Sequence, residues 1–109
     1  MNNALLPIKN LLLSLDLPEK EVNVYLTLLT KGKGTVSEIA RESQINRTTG
    51  YDILGKLINL GLARVSGKEP KQEYVAESPN KILKLLERRE KRTKRQIQEF
   101  TKALPELRS

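Results

Sequence analysis

Two helix starts and their stops are crowded between Thr35 and Gly61, and this constrains the fold of the 109-residue chain more than any other feature. Lys31-Gly32-Lys33-Gly34 ends one segment, and Thr35-Val36-Ser37-Glu38 opens the next as a T-x-x-E capping box. There the hydroxyl and the carboxylate each take an amide that a helix start leaves unpaired. Ile39 and Ala40 face inward on this short helix. After Ser43-Gln44-Ile45, Asn46 is a good N-cap. The helix it opens carries Gly50, Leu54, Leu57 and Gly61 on one seam, widened by Ile53, Ile58 and Leu60, and Gly61 stands where a left-handed terminal residue is wanted. A short capped helix, a tight turn and a second capped helix have the spacing of a helix-turn-helix.

The flanking segments fit around that motif. Leu5, Ile8, Leu12 and Leu15 recur at helical spacing over 5–15, with Pro7 in the first turn, before Asp16-Leu17-Pro18 breaks the chain. From Glu19 to Thr30, Val22, Tyr25, Leu26 and Leu29 make an apolar stripe, and Glu19 and Glu21 sit in the first turn where the helix dipole favours acids. Leu62 to Val65 and Gln72 to Ala76 read as two short strands around the polar loop 66–71. Two strands alone are marginal, so this hairpin, a wing, must lean on the helices. Ser78-Pro79 then starts a helix that nothing stops before Leu104-Pro105, about 38 Å on. It is too long for this core. Its seam of Ile82, Leu86, Arg89, Thr93, Gln96 or Ile97, Phe100 and Leu104, with Leu85 beside it, predicts an antiparallel or slightly splayed dimer helix, Arg89 pairing with an acid of the partner. The expected fold is mainly α with a small β-hairpin wing: a winged helix-turn-helix in residues 1–78 and a long dimerisation helix in 79–109.

Without Cys or His there is no disulfide framework, no thiolate nucleophile, no usual general base and no ordinary zinc site. The acids and tyrosines form no motif with catalytic spacing, so no enzyme, metal or cofactor is implied. Neither a membrane-spanning stretch nor a signal peptide is legible, and the expected location is cytoplasmic. Net charge is +7 and uneven: residues 1–79 carry ten basic and nine acidic side chains, 80–109 ten and four. Such a balance fits a polyanion partner or a solvated helix face.

Leu17-Pro18-Glu19-Lys20-Glu21-Val22-Asn23-Val24-Tyr25-Leu26, Thr35 to Ala40, Asn46 to Leu54 and Leu60-Gly61-Leu62, in this order and spacing, resemble the TrmB family of winged-helix transcriptional regulators. The resemblance covers residues 15–80. It implies a DNA-binding winged helix, commonly dimeric and most often archaeal. Gly50 stands where the family usually has Val or a similar residue, which predicts thinner packing under the recognition helix, and Pro18 replaces the usual Ser or Thr cap. Long members continue into a sugar-sensing domain; here the sequence ends after one helix, so a stand-alone DNA-binding domain is expected and no effector is carried over.

With helix 47–60 in the major groove, the reading residues are Arg47, Thr48, Thr49, Tyr51, Asp52 and Lys56. Arg47 suits guanine O6 and N7 or a phosphate; its bland alternative is a solvated first-turn side chain. Thr48 and Thr49 suit phosphates or a thymine methyl unless they bond locally at the helix start. Tyr51 either reaches a phosphate or is half core, Asp52 is better placed to orient Arg47 or Lys56 than to read cytosine, and Lys56 suits a phosphate. Lys68 and Lys71 at the wing, Ser37 in the preceding helix and Arg64 in the first strand are candidate backbone or minor-groove contacts. The run Arg88 to Arg95 is either the solvated face of the dimer helix or a contact to flanking DNA. The expected function is a sequence-specific, homodimeric regulator binding double-stranded DNA. The alternatives are a non-specific architectural DNA binder and a protein-interaction winged helix without DNA contact.

Overall fold

The computed structural model describes residues 5–68 and 70–108. They form, in chain order, α1 (Leu5–Ser14), α2 (Glu19–Lys31), β1 (Lys33–Gly34), α3 (Val36–Glu42), α4 (Arg47–Asn59), β2 (Ala63–Ser66), β3 (Glu73–Ala76) and α5 (Asn80–Arg108). The chain divides into two compact units, one ending at Ser78 and the other beginning at Pro79.

In the first unit α2 is the central element. Val22, Val24, Tyr25, Leu26 and Leu28 are all buried along it, with Glu21 beside them, while Leu29, expected in the stripe, is only half-buried. A stripe chosen by a single helical face misses Val24 and Leu28 because α2 is packed by α1, α3, α4 and the sheet on more than one side. Leu12 is the fully buried residue of α1, and Leu5, Ile8 and Leu15 are half-buried.

The helix ends behave as their residues dictate. Thr35 Oγ1 accepts from Glu38 N at 3.2 Å and Glu38 Oε1 accepts from Thr35 N at 3.0 Å. Asn46 Oδ1 accepts from Thr49 N at 2.7 Å. At the other end of α4, Gly61 has φ 79, its amide bonds Ile58 O and the Leu62 amide bonds Leu57 O, the paired reverse bonds of a Schellman close. The turn from α3 to α4 repeats this arrangement with Gln44, at φ 58, in the glycine position, and Ile45 N bonding Ala40 O.

Two features depart from the expected elements. The wing is a three-stranded antiparallel sheet in the order β1-β3-β2, because Lys33 and Gly34, expected only to end α2, pair with Val75 and Tyr74. This third strand answers the marginal stability of a lone hairpin. The second departure is that α5 continues through Pro105 to Arg108. Proline's φ suits a helix; the cost is one lost bond to the Thr101 carbonyl, which lies in an exposed turn open to water. Gly50 also sits differently from the thinned packing expected of it. It is buried, and a Cβ there would stand 3.2 Å from Ala40 Cβ and 3.6 Å from Val36 Cγ2, so glycine lets α3 and α4 approach closely.

Candidate nucleic-acid interface

α4 is built one-sidedly. Gly50, Ile53, Leu54 and Leu57 are buried, while Arg47, Thr48, Tyr51, Asp52, Gly55, Lys56 and Asn59 are exposed. The spacing of Thr48, Tyr51, Asp52, Gly55 and Asn59 is that of a single outward face. Gly55 and Asn59 are not among the expected contacts. The signal for Gly55 is an exposed glycine in a helix interior, where it costs up to about 1 kcal/mol relative to Ala and no packing explains it. A Cβ at Gly55 would meet nothing within 4 Å.

Arg47 lies with its guanidinium 5.6 Å from the Tyr51 ring centroid, a cation–π pair one turn apart that presents both side chains together at the helix start. Asp52 is exposed and orients neither expected cation: Arg47 goes to Tyr51, and Lys56 Nζ lies 3.4 Å from Glu21 Oε1. The Glu21 residue is 6% exposed, so this pair ties α4 to α2 and competes with any phosphate for Lys56. Thr49 is half-buried, its amide taken by the Asn46 cap.

α3 is fixed from behind. Ser43 Oγ donates to Thr27 Oγ1 at 3.1 Å, Thr27 Oγ1 donates to Asn23 O at 2.9 Å, and Lys31 Nζ lies 3.1 Å from Glu42 Oε1. Ser37 is exposed in the first turn of α3, where the capping box already occupies the Glu38 amide. The amide of Thr35, then its hydroxyl, hold the Glu38 carboxyl below the usual carboxylate range. In the wing, Arg64 Nε lies 3.4 Å from Glu77 Oε1. Lys68 and Lys71 are exposed around a turn closed by Lys71 N to Lys68 O at 3.0 Å, with Gly67 at φ 83; Glu69 between them lies outside the described residues. Tyr25 hydroxyl donates to Glu77 O at 3.2 Å, and burial, then the Glu77 charge, push its pKa up.

On α5, the candidate pairing residues divide. Ile82 is half-buried and Leu85 is 7% exposed, whereas Leu86, Arg89, Thr93, Ile97, Phe100 and Leu104 are exposed. Two large apolar side chains absent from the expected seam, Leu83 and Leu107, are open as well. The exposed line is therefore Leu83, Leu86, Glu90, Thr93, Ile97, Phe100, Leu104 and Leu107, with 3,4 spacing throughout and two polar positions at its middle. It starts at the exposed Leu83, where the expected seam starts at the half-buried Ile82, and the exposed Arg89 lies beside it.

Helices α2, α3 and α4, the capped α4 keeping one face exposed, and a small three-stranded antiparallel sheet define a winged helix-turn-helix of the transcription-regulator class. The model of the family described as sugar-specific transcriptional regulator TrmB matches residues 11–80, and the chain belongs to that family. Its fold and family are those of DNA-binding regulators and not of enzymes. An uncharacterised protein of Methanocaldococcus jannaschii, MJ1082, is 46% identical over 48 residues, 44% of this chain and 40% of that protein. Among solved structures, TrmBL2, an archaeal chromatin protein described as showing a novel mode of DNA binding, superposes with a TM-score of 0.76 at 26% identity over 85% of this chain and 36% of its own. The ST1889 protein of Sulfolobus tokodaii matches with a TM-score of 0.56 at 28% identity over 72% of this chain and 85% of its own. The matched segments thus cover 40% of MJ1082 and 36% of TrmBL2. No described helix is long and apolar enough to cross a membrane.

Proposed function

We propose that this chain is a sequence-specific regulator that binds double-stranded DNA as a homodimer. The observation that carries the reading is the one-sided build of α4, whose inner face is locked against α2 and α3 while its outer face presents Arg47, Thr48, Tyr51, Asp52 and a bare Gly55. In the major groove, Arg47 bonds guanine or a phosphate, Thr48 and Thr49 meet phosphates or a thymine methyl, and Tyr51 offers its hydroxyl to the backbone. Lys56 serves a phosphate only by leaving Glu21. Ser37, Lys68 and Lys71 serve the backbone or the minor groove, and Arg64 does so only by leaving Glu77. The exposed apolar line of α5 pairs two copies, which would read pseudo-palindromic half-sites about one turn, or about 34 Å, apart. A cytoplasmic site of action follows from that partner.

Selection from a pool of random duplex DNA at moderate salt tests the reading. Enrichment of one inverted repeat, lost on Arg47→Ala, supports it; affinity unchanged by Arg47→Ala refutes the assignment of α4 to the groove. A wild-type monomer by sedimentation equilibrium refutes pairing, whereas a dimer that Phe100→Glu dissociates supports the α5 line as its interface. A second reading, an architectural binder with little sequence preference, is favoured by the similarity to the chromatin protein TrmBL2. It predicts a bound pool that stays random.

A further inference from the structure

We propose that α5 carries a second phosphate-contacting surface, formed by Lys84, Arg88, Lys91 and Arg95 and extended by Lys102, which supplies most of the attraction of this chain for duplex DNA. The inference rests on the DNA-binding reading above and places a new contact surface outside the winged unit.

Charge is the first reason. Duplex affinity is dominated by neutralised phosphates, and a binder needs several cations free to meet them. Up to residue 79 the chain holds ten cations against nine acids, a surplus of one. Four of those cations are already committed: Lys31 to Glu42, Lys33 to Glu73, Lys56 to Glu21 and Arg64 to Glu77, each within 4 Å. The winged unit therefore offers shape and base-reading side chains but little net field. From residue 80 on the surplus is six.

Placement is the second. At 3.6 residues per turn, Lys84, Arg88, Lys91, Arg95 and Lys102 fall within a sector of about 60° and run for about 27 Å. All five are exposed, and among the described residues no ion pair engages them, whereas Lys94 pairs with Glu90 at 3.2 Å. Between Lys84 and Arg95 the two acids, Glu87 and Glu90, lie outside the sector. The row also lies opposite the exposed apolar line from Leu83 to Leu107, so pairing two copies through that line leaves both rows facing outward. An interfacial helix also sets its cations opposite an apolar face, but here that face carries Glu90 and Thr93 at its middle and is the one that pairing two copies covers, so a membrane surface fits this helix less well. Arg88 and Arg95 add the planar fork that suits phosphate oxygens.

The test uses the full chain and a random-sequence duplex of roughly 30 base pairs, binding being read by fluorescence anisotropy across a salt series. The variant replaces Lys84, Arg88, Lys91 and Arg95 with Gln, a residue of similar helix propensity that leaves the apolar line intact; circular dichroism and sedimentation confirm its fold and mass. Removing four phosphate-binding cations from each protomer lowers the slope of log K against log salt by about 3.6 for every protomer whose row meets the duplex, so per row in contact a fourfold rise in salt weakens the variant about 10²-fold less than the wild type, on any sequence. Arg47→Ala, in contrast, changes that slope by about 1 at most. An unchanged slope in the four-site variant, with wild-type binding intact and Arg47→Ala impaired, overturns the α5 surface and leaves the DNA-binding reading standing. A wild-type chain that binds no duplex at any salt, yet sediments with anionic phosphatidylserine vesicles, overturns both.

Discussion

Replacing Gly50 with Val asks directly whether the contact between α3 and α4 is close or thin. A Cβ at this position would lie 3.2 Å from Ala40 Cβ, tighter than an ordinary contact, and 3.6 Å from Val36 Cγ2. Valine adds two further methyl groups in a region that is already buried. Overpacking of this kind costs about 1–3 kcal/mol, and the better helix propensity of Val over Gly returns only about 0.4 kcal/mol. The expected net loss is about 0.6–2.6 kcal/mol, which at a slope of about 2 kcal/mol per molar urea lowers the unfolding midpoint by roughly 0.3–1.3 M. Urea titration followed by far-ultraviolet circular dichroism reads the shift. Ala40→Gly supplies the internal control. Alone it costs about 1 kcal/mol of helix propensity. Combined with Gly50→Val it removes the methyl that the new valine strikes, so the double variant should be more stable than the sum of the singles by at least about 0.5 kcal/mol. A Gly50→Val chain more stable than wild type, or strict additivity in the cycle, would refute the close approach and restore the view that glycine merely thins this packing.

Three further outcomes follow from single groups. Tyr25→Phe removes the bond to Glu77 O and should cost about 0.5–1.5 kcal/mol; since the folded pKa of Tyr25 is raised, wild-type stability should also fall above about pH 10, where the variant stays flat, and a parallel decline in both would contradict this. The lowered folded pKa of Glu38 means its contribution is present above about pH 4.3 and is lost as pH falls through the folded value. The difference in melting temperature between wild type and Glu38→Gln should therefore shrink between pH 7 and about pH 3; a constant difference counts against the capping box as its source. Gly55→Ala fills open space on a helical residue and should stabilise the fold by about 0.8–1 kcal/mol, read as a higher melting temperature, while weakening duplex binding. Unchanged affinity would move the contact surface away from Gly55.

Where chemistry acts over four or five residues, the chain announces its own structure. Thr35 with Glu38, Asn46 and Gly61 mark helix ends because each satisfies or accommodates backbone groups within one turn of itself, and those contacts appear as the residue types demand. The apolar spacing of α4 likewise separates an inner from an outer face, which is why its exposed residues are legible. What tertiary structure alone decided are matters of distant neighbours. Lys33-Gly34 is a strand only because β3, some 40 residues later, passes beside it. Lys56 is drawn to Glu21 because packing brings α2 against α4 in a setting where Glu21 is shielded from water. Leu28 belongs to the core and Leu29 does not, since α2 is covered on several sides and one helical stripe cannot say how many. On α5, periodicity admits both Ile82 and Leu83 as the start of a seam, and only their different exposure, half-buried against open, tells them apart.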